Sequence, residues 1–393
     1  MNLAGFKQLL HTDLGQTALR AAEELQPREV DYLQHFQTLS RSYPSEVAQA
    51  ALETAILRQE AADKFSHASQ MYFTRTALEQ ASNEALARWR ARRYDGAAGV
   101  LDLGCSIGSD SLALAEVAPV VGIDYDPLRL SLARANLQSV KRSFNAHFVQ
   151  ANLRAALPLA GSLKNWGVFF DPGRRQGGRR IRSVADYQPP LETIKGWLPD
   201  LPAVGVKLSP AVNLEELADY PGEIEFISLR GALKEAVLWL GSFKSAARRA
   251  TLLPTGVTLS GEPRTGGPIG PPQRYIYEPD PAVLRAGLVL DLAAELGAHQ
   301  LDADIAYLTA DQQVDTPFAR SWEVEAWFPF QLKRLRAYLR EKQVGQVVIK
   351  KRGSPLEPER LARQLKLQGD QARVIFLTHL DGRPIVIVAF SGG

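Results

Sequence analysis

The 393-residue chain has one cysteine, Cys105. A single thiol closes no internal disulfide and builds no cysteine-based zinc site. No metal is therefore expected, and a reducing compartment, the cytoplasm, is the expected location. No apolar run approaches the length that crosses a bilayer. The stretch from Met1 to Gly15 has no apolar core after a basic start, so it does not read as a signal peptide. Repeats and low-complexity tracts are absent as well. Neither sign of charge dominates: 46 Lys and Arg face 43 Asp and Glu, a net charge of +3. That balance permits a nucleic-acid partner without requiring one. With 45% hydrophobic and 23% charged residues, long disorder is excluded and two or three domains are expected.

Three pieces are expected along the chain. Residues 1–95 read as helical. Glu46–Phe65 and Thr74–Tyr94 contain neither Gly nor Pro, and Thr74 or Ser82 is suited to cap a helix. The second segment ends in a basic cluster of Arg88, Arg90, Arg92 and Arg93. From Gly99, short apolar runs alternate with helical stretches, which implies a mostly parallel sheet. Among these runs are Val100–Leu103, Val120–Ile123, Val168–Phe170 and Val204–Leu208. The runs Glu223–Leu229 and Leu233–Leu240 are separated only by Arg230-Gly231-Ala232, so they read as an antiparallel hairpin. The expected fold is thus α/β, a Rossmann-like sheet over residues 96–260 with a terminal antiparallel hairpin. A helical region precedes it. The Gly/Pro-dense stretch 261–272 reads as a linker, and 273–393 as a small α+β domain.

The richest motif is Val100-Leu-Asp102-Leu-Gly104-Cys105-Ser106-Ile107-Gly108, which leads into a helix. Its glycines let the backbone turn sharply and let a ligand approach closely. Twenty residues after Gly104, a second strand ends in Asp124, where an acid can accept hydrogen bonds from ribose hydroxyls. Strand, Gly turn, helix, strand and acid at this spacing point to a nucleotide-type ligand. A further strand, Val168–Phe170, runs into Asp171-Pro172-Gly173-Arg174-Arg175. The carboxyl end of such a strand faces the ligand crevice, so Asp171 is the candidate catalytic residue; a plain Asp-Pro turn is the structural alternative. Arg174, Arg175, Arg179, Arg180 and Arg182 crowd the next loop and suit phosphate contact.

The order Asp102-x-Gly104-x-x-x-Gly108 resembles motif I of class I S-adenosylmethionine-dependent methyltransferases. The resemblance implies that Asp102 holds the methionine end of the cofactor and that Asp124 holds its ribose. Cys105 and Ser106 would line the same turn, with Ser106 where the family usually has glycine. Phe148-Val-Gln-Ala-Asn152 resembles the motif that contacts adenine, where the family favours Asp; an ordinary loop Asn is the alternative. Asp171-Pro172 resembles motif IV of amino-group methyltransferases, without the second proline and the aromatic. Lys64-Phe-Ser-His, continuing through Phe73 and Thr74, is similar to the segment preceding the fold in trimethylguanosine synthase-like enzymes. By that likeness Phe73 and Thr74 close over the cofactor. Residues from Tyr277 onward resemble a THUMP-like domain, in which Lys350, Lys351 and Arg352, with basic residues between Lys333 and Lys342, would offer RNA a basic face. The resemblance implies methyl transfer to RNA, with a base nitrogen as the expected acceptor. The alternative is a catalytically degenerate protein that binds S-adenosylmethionine or RNA. An oxidoreductase is disfavoured by the terminal hairpin. A methyltransferase acting on a protein or small molecule stays open.

Overall fold

A computed structural model describes residues 3–140, 144–155, 163, 165–176, 179–181, 183–197, 201 and 203–391. The chain forms two compact units, Met1–Gly222 with Ala236–Ser245, and Glu223–Glu235 with Ala246–Gly393. These units are drawn differently from the three expected pieces: residues 1–95 cluster with the following sheet, and 223–235 and 246–260 cluster with the second unit.

The first unit opens with helices α1 (Leu3–His11), α2 (Asp13–Glu24), α3 (Tyr32–Leu39), α4 (Ser45–Glu60), α5 (Arg75–Gln80) and α6 (Glu84–Ala91). The alanine-rich α4 buries Val47, Ala51, Leu52, Ala55 and Ile56 at the centre of an apolar core. Ile107 of the Gly turn and Leu132 belong to the same core. The continuous helix expected over 74–94 is broken. Thr74 does cap α5, accepting from the Ala77 amide, but Ala81 turns extended and Asn83, not Ser82, caps α6. Ser82 is freed from capping and becomes 96% buried, with a relative exposure of 4%. The basic cluster that ends this region serves the fold. Arg90 is buried, Arg93 donates to the Phe243 carbonyl, Arg88 pairs with Glu84 and Glu116, and Arg92 lies over the Trp89 ring.

The sheet of this unit contains β1 (Gly99–Leu103), β2 (Val120–Asp124), β3 (Ala146–Gln150), β4 (Trp166–Phe170), β5 (Ala203–Leu208) and, after β6 (Glu223–Leu229), β7 (Ala232–Gly241). Their order is β3-β2-β1-β4-β5-β7. The first five are parallel, and β7 runs antiparallel to β5, with Leu208 opposite Ala236. Helix α7 (Ser109–Leu114) connects β1 to β2, and α8 (Pro127–Ser139) connects β2 to β3. The turn between β6 and β7 is Arg230-Gly231, both at positive φ, as a two-residue hairpin turn requires. Before β5, Leu191–Gly196 forms a 3₁₀ segment.

In the second unit, β8 (Arg248–Leu253) lies parallel to β6 and pairs antiparallel with β9 (Val257–Gly261). Neither strand was expected, so the hairpin is not the last strand pair of its region. Irregular chain follows over 262–274. A seven-stranded sheet is then built from β10 (Tyr275–Pro279), β11 (His299–Asp302), β12 (Ile305–Ala310), β13 (Ala319–Pro329), β14 (Val344–Lys351), β15 (Gln371–Leu380) and β16 (Arg383–Phe390), in the order β11-β12-β10-β13-β16-β15-β14. Helices α9 (Pro281–Ala286) and α10 (Val289–Leu296) are separated by Gly287, which takes the left-handed conformation. Helices α11 (Leu332–Glu341) and α12 (Pro358–Leu365) bury Leu335, Leu339, Leu361 and Leu365 against Ile375, Leu377, Val386 and Val388. Among the described residues, no helix is long and apolar enough to cross a membrane.

Candidate active site

The site lies at the carboxyl ends of β1, β2, β4 and β5. Parallel strands with alternating order place their ends at a common crevice, as β1 has β2 on one side and β4 on the other. Gly104 follows β1 at φ +86°, and a side chain there would meet the Asp171 carbonyl at 2.7 Å. The glycine therefore lets the ends of β1 and β4 close on each other. Gly108, at φ +78°, starts α7. Ser106 also has positive φ, at 51°.

Asp102 is 1% exposed. Its Oδ2 accepts from Ser111 Oγ at 2.5 Å, while Oδ1 has no hydrogen-bond partner. Burial, reinforced by the Asp110 carboxylate, pushes its pKa up to about 8, against the pull of the Ser111 hydroxyl. At neutral pH the carboxyl is mainly protonated. A buried acid with an orphaned oxygen is costly unless a cationic or donating group reaches it. Asp124 is also buried, and both of its oxygens hold backbone amides: Oδ2 accepts from Ser106 at 2.9 Å and Oδ1 from Asp126 at 3.0 Å. It thereby ties the Gly turn to the end of β2. Asp126 caps α8 by accepting from the Leu128 and Arg129 amides, with Pro127 in the first turn. Between the two acids stands Tyr125, 70% exposed, a free aromatic face that sequence reasoning passed over. Cys105 is buried, which pushes its thiol pKa up.

Asp171 follows β4, and its amide donates to the Leu103 carbonyl at 3.1 Å. Its carboxylate is not alone. Lys207 Nζ donates to Oδ2 at 2.6 Å, and an Arg174 guanidinium nitrogen lies 3.6 Å from Oδ1. Lys207, on β5 and 3% exposed, also donates to Ser82 Oγ at 2.7 Å. Ser82 accepts from Arg90 at 2.8 Å and donates to Asp110 Oδ2 at 2.9 Å; Arg90 closes the set by pairing with Asp110. Burial alone would raise the Asp110 pKa, but Arg90 and Lys207 more than offset it and hold it low. Sequence reasoning missed Lys207, Ser82, Asp110 and the burial of Arg90. One signal was available: a lysine in the otherwise apolar strand Val204–Leu208.

Other expected site residues fall in different surroundings. Asn152 is exposed and accepts from the Arg154 amide at 3.0 Å, a local turn. Phe73 is fully buried against Phe65, and Thr74 is the α5 cap. Their segment does run beside the Gly turn. Buried Asn136 accepts from the Tyr72 amide and donates to the carbonyls of Tyr72 and Ile107. Pro172 is buried, and Gly173 pairs through its backbone with Gln188. Arg175–Gln176 forms a two-residue ladder with Arg179–Arg180. The side chains of Arg175, Arg179 and Arg180, and the whole of Gly177, Gly178 and Arg182, lie outside the described residues.

In the second unit, Lys350 donates to Glu278 at 2.5 Å, Arg352 lies 4.0 Å from the other oxygen of Glu278, and Lys351 donates to Glu357 at 2.7 Å. Arg336 donates to the Gln364 carbonyl, and Arg334 covers the Phe328 ring. Part of the expected basic face is therefore matched by carboxylates or engaged in packing.

Comparison with known proteins decides the family. A methyltransferase of Mycobacterium tuberculosis, described as uncharacterised and S-adenosylmethionine-dependent, is 37% identical over 340 residues, covering 84% of this chain and 92% of its own length. This chain belongs to the S-adenosylmethionine-dependent methyltransferases. The same match is found in a second strain of that organism. A family profile described as a methyltransferase domain matches residues 95–165, one described as THUMP domain-like matches 319–390, and one described as a domain of unknown function matches 2–61. The crystal structure of a candidate methyltransferase from Porphyromonas gingivalis W83 shares the fold, with a TM-score of 0.81 at 22% identity, covering 98% of this chain and 99% of that one.

The residues of this methyltransferase fit its cofactor. Asp102 keeps one buried oxygen unmatched, which suits the ammonium of the cofactor's methionine end. Each carboxylate oxygen carries more than one acceptor site, so Asp124 retains capacity for hydroxyl donors beside the amides it already holds.

Proposed function

We propose that this methyltransferase modifies RNA, with Asp102 and Asp124 holding the cofactor and Asp171 orienting the acceptor. The observation that carries the reading is the placement of Asp171 directly against the Gly turn, at the end of the strand next to β1. When bound, S-adenosylmethionine supplies a methyl group already activated on a sulfonium, so the protein's task is alignment. Asp102 meets the methionine ammonium, Asp124 the ribose hydroxyls, and Tyr125 offers its exposed ring to the adenine. Ser106 and Cys105 contribute the backbone of the turn, Gly104 and Gly108 its geometry, and Asn152 reaches the adenine edge. Phe73 and Thr74 close the site through their segment's attachment to Asn136.

Support for RNA comes from three features: the THUMP-like match at 319–390, Arg174 beside Asp171, and the arginines of the following ladder. On this reading Arg174, Arg175, Arg179 and Arg180 bind phosphates near the reacting nucleotide. Lys350, Lys351 and Arg352 bind further phosphates of the same RNA by exchanging their carboxylate partners. The domain division at 95/96 and 260/273 is retained as a functional one, and the single buried cysteine supports a cytoplasmic site of action. A base nitrogen as acceptor requires Asp171 to offer free oxygens to an amine, and here each oxygen faces a cation.

Incubation with methyl-labelled cofactor and fractionated cellular RNA tests the proposal. Label should enter an RNA fraction with the wild-type chain and not with Asp171→Ala. Label entering protein or small molecules instead would sink the RNA assignment.

A further inference from the structure

The strand-end acid of an amine methyltransferase serves its substrate by accepting hydrogen bonds from it. Asp171 is differently placed. Lys207 is 3% exposed and holds Oδ2 at 2.6 Å, and Arg174 stands 3.6 Å from Oδ1. Lys207 is itself fixed from behind by Ser82, which is locked between Arg90 and Asp110. No rearrangement of exposed side chains releases this lysine. The Arg90–Asp110 pair is neutral as a unit, so one carboxylate, Asp171, confronts two cations where the acceptor must sit.

The sign of that charge discriminates between acceptors. An amine nitrogen becomes positive as it takes a methyl group, and neighbouring cations oppose it. A hydroxyl oxygen becomes negative as it loses its proton, and neighbouring cations favour it. We propose that the atom methylated is a hydroxyl oxygen, in RNA a ribose 2′-hydroxyl, with Lys207 the positioning residue that holds Asp171 and directs positive charge at the acceptor. The inference rests on the RNA-methylation reading above. In the reaction the oxygen–methyl bond forms, the methyl–sulfur bond breaks with its electron pair going to sulfur, and the hydroxyl gives up its proton. Solvent water, which reaches the partly exposed Asp171 side chain, takes that proton. A second lysine, Lys64, senses the charge of Lys207. It is half-buried, and its Nζ donates to the Leu78 carbonyl at 2.7 Å. Burial first, and then the charge of Lys207, push its pKa down, with Glu79 opposing. Lys64 therefore reports the positive charge that Lys207 carries into this part of the fold.

The test uses the full chain, methyl-labelled cofactor and fractionated RNA, followed by alkaline hydrolysis. A methylated 2′-oxygen blocks cleavage at its own phosphate, so label is expected in alkali-resistant dinucleotides. Lys207→Met should lower that label about 100-fold while calorimetry shows cofactor affinity unchanged. Label in mononucleotides, on the base, overturns the inference and leaves RNA methylation standing. Label in no RNA at all overturns the RNA reading, and the inference is then decided on the protein itself. Competitive acetylation across pH, read by mass spectrometry, should show Lys64 reacting at lower pH than exposed lysines and moving upward in Lys207→Met. An unmoved Lys64 overturns the charge arrangement, whatever the substrate. If Lys207→Met fails to fold, Arg174→Ala takes its place in the transfer assay. There a tenfold or greater loss is expected, and full activity counts against the proposal.

Discussion

The charged residues at the ends of β4 and β5 and those at the end of β14 resemble each other in sequence and differ in structure. In the first group Lys207, Ser82, Asp110 and Arg90 are buried and bonded to one another, and Asp171, which Lys207 holds, is partly exposed. In the second group Lys350, Lys351 and Arg352 are each about a fifth to a third exposed; Glu278, which faces Lys350 and Arg352, is partly exposed, and Glu357, which faces Lys351, is exposed. A buried network fixes direction, because breaking any member leaves an unmatched charge in a low-dielectric place. An exposed pair fixes little, because water replaces either partner. Chemistry is therefore expected from the first group and, at most, exchangeable electrostatic contact from the second.

The largest expected difference is in stability. Arg90→Met leaves Asp110 buried without its main partner, and should cost about 3–5 kcal/mol by urea denaturation. A change under about 1 kcal/mol would break the contrast at its root. Next comes transfer: Asp171→Ala should lower it at least about 100-fold with cofactor affinity kept. Asp102 sharpens the comparison through pH. Its folded pKa is about 8 against an ordinary 3.8, so the folded state holds a proton that the unfolded chain has lost. Its contribution to the stability of the free protein is fully present below about pH 4 and is lost as pH rises to about 8. The cofactor's ammonium calls for the ionised form. Affinity should therefore rise as pH rises toward 8, with a proton released on binding; affinity flat from pH 6 to 8 would remove Asp102 from the site. The smallest effect belongs to the second group. Lys351→Ala should change stability by less than about 1 kcal/mol, and a larger loss would mean that its pair with Glu357 is structural.

Much of this was legible in the sequence, for local reasons. Asp102, Gly104, Gly108 and Asp124 announce themselves because a sharp turn needs glycine and a strand-end acid faces a crevice. The hairpin at Arg230-Gly231 followed from gap length and a glycine. Lys207 stood out as a lysine in an apolar strand, but its partners were not legible, because it meets Asp171 across 36 positions and Ser82 across 125, and no spacing rule spans such distances. The break at Ala81–Asn83 was hidden for a related reason. Helix propensity favoured continuity, but Ser82 is held inward by Arg90, Asp110 and Lys207, and tertiary bonding of that kind overrides propensity. Strands β8 and β9 escaped because their arginines and threonines dilute the apolar alternation.

The most direct measurement is a calorimetric titration of the purified chain with S-adenosylmethionine, alongside Asp124→Ala and Asp171→Ala. One site is expected in the wild type, retained in Asp171→Ala and lost or weakened at least about tenfold in Asp124→Ala. No binding by the wild type, or binding indifferent to Asp124→Ala, would contradict it.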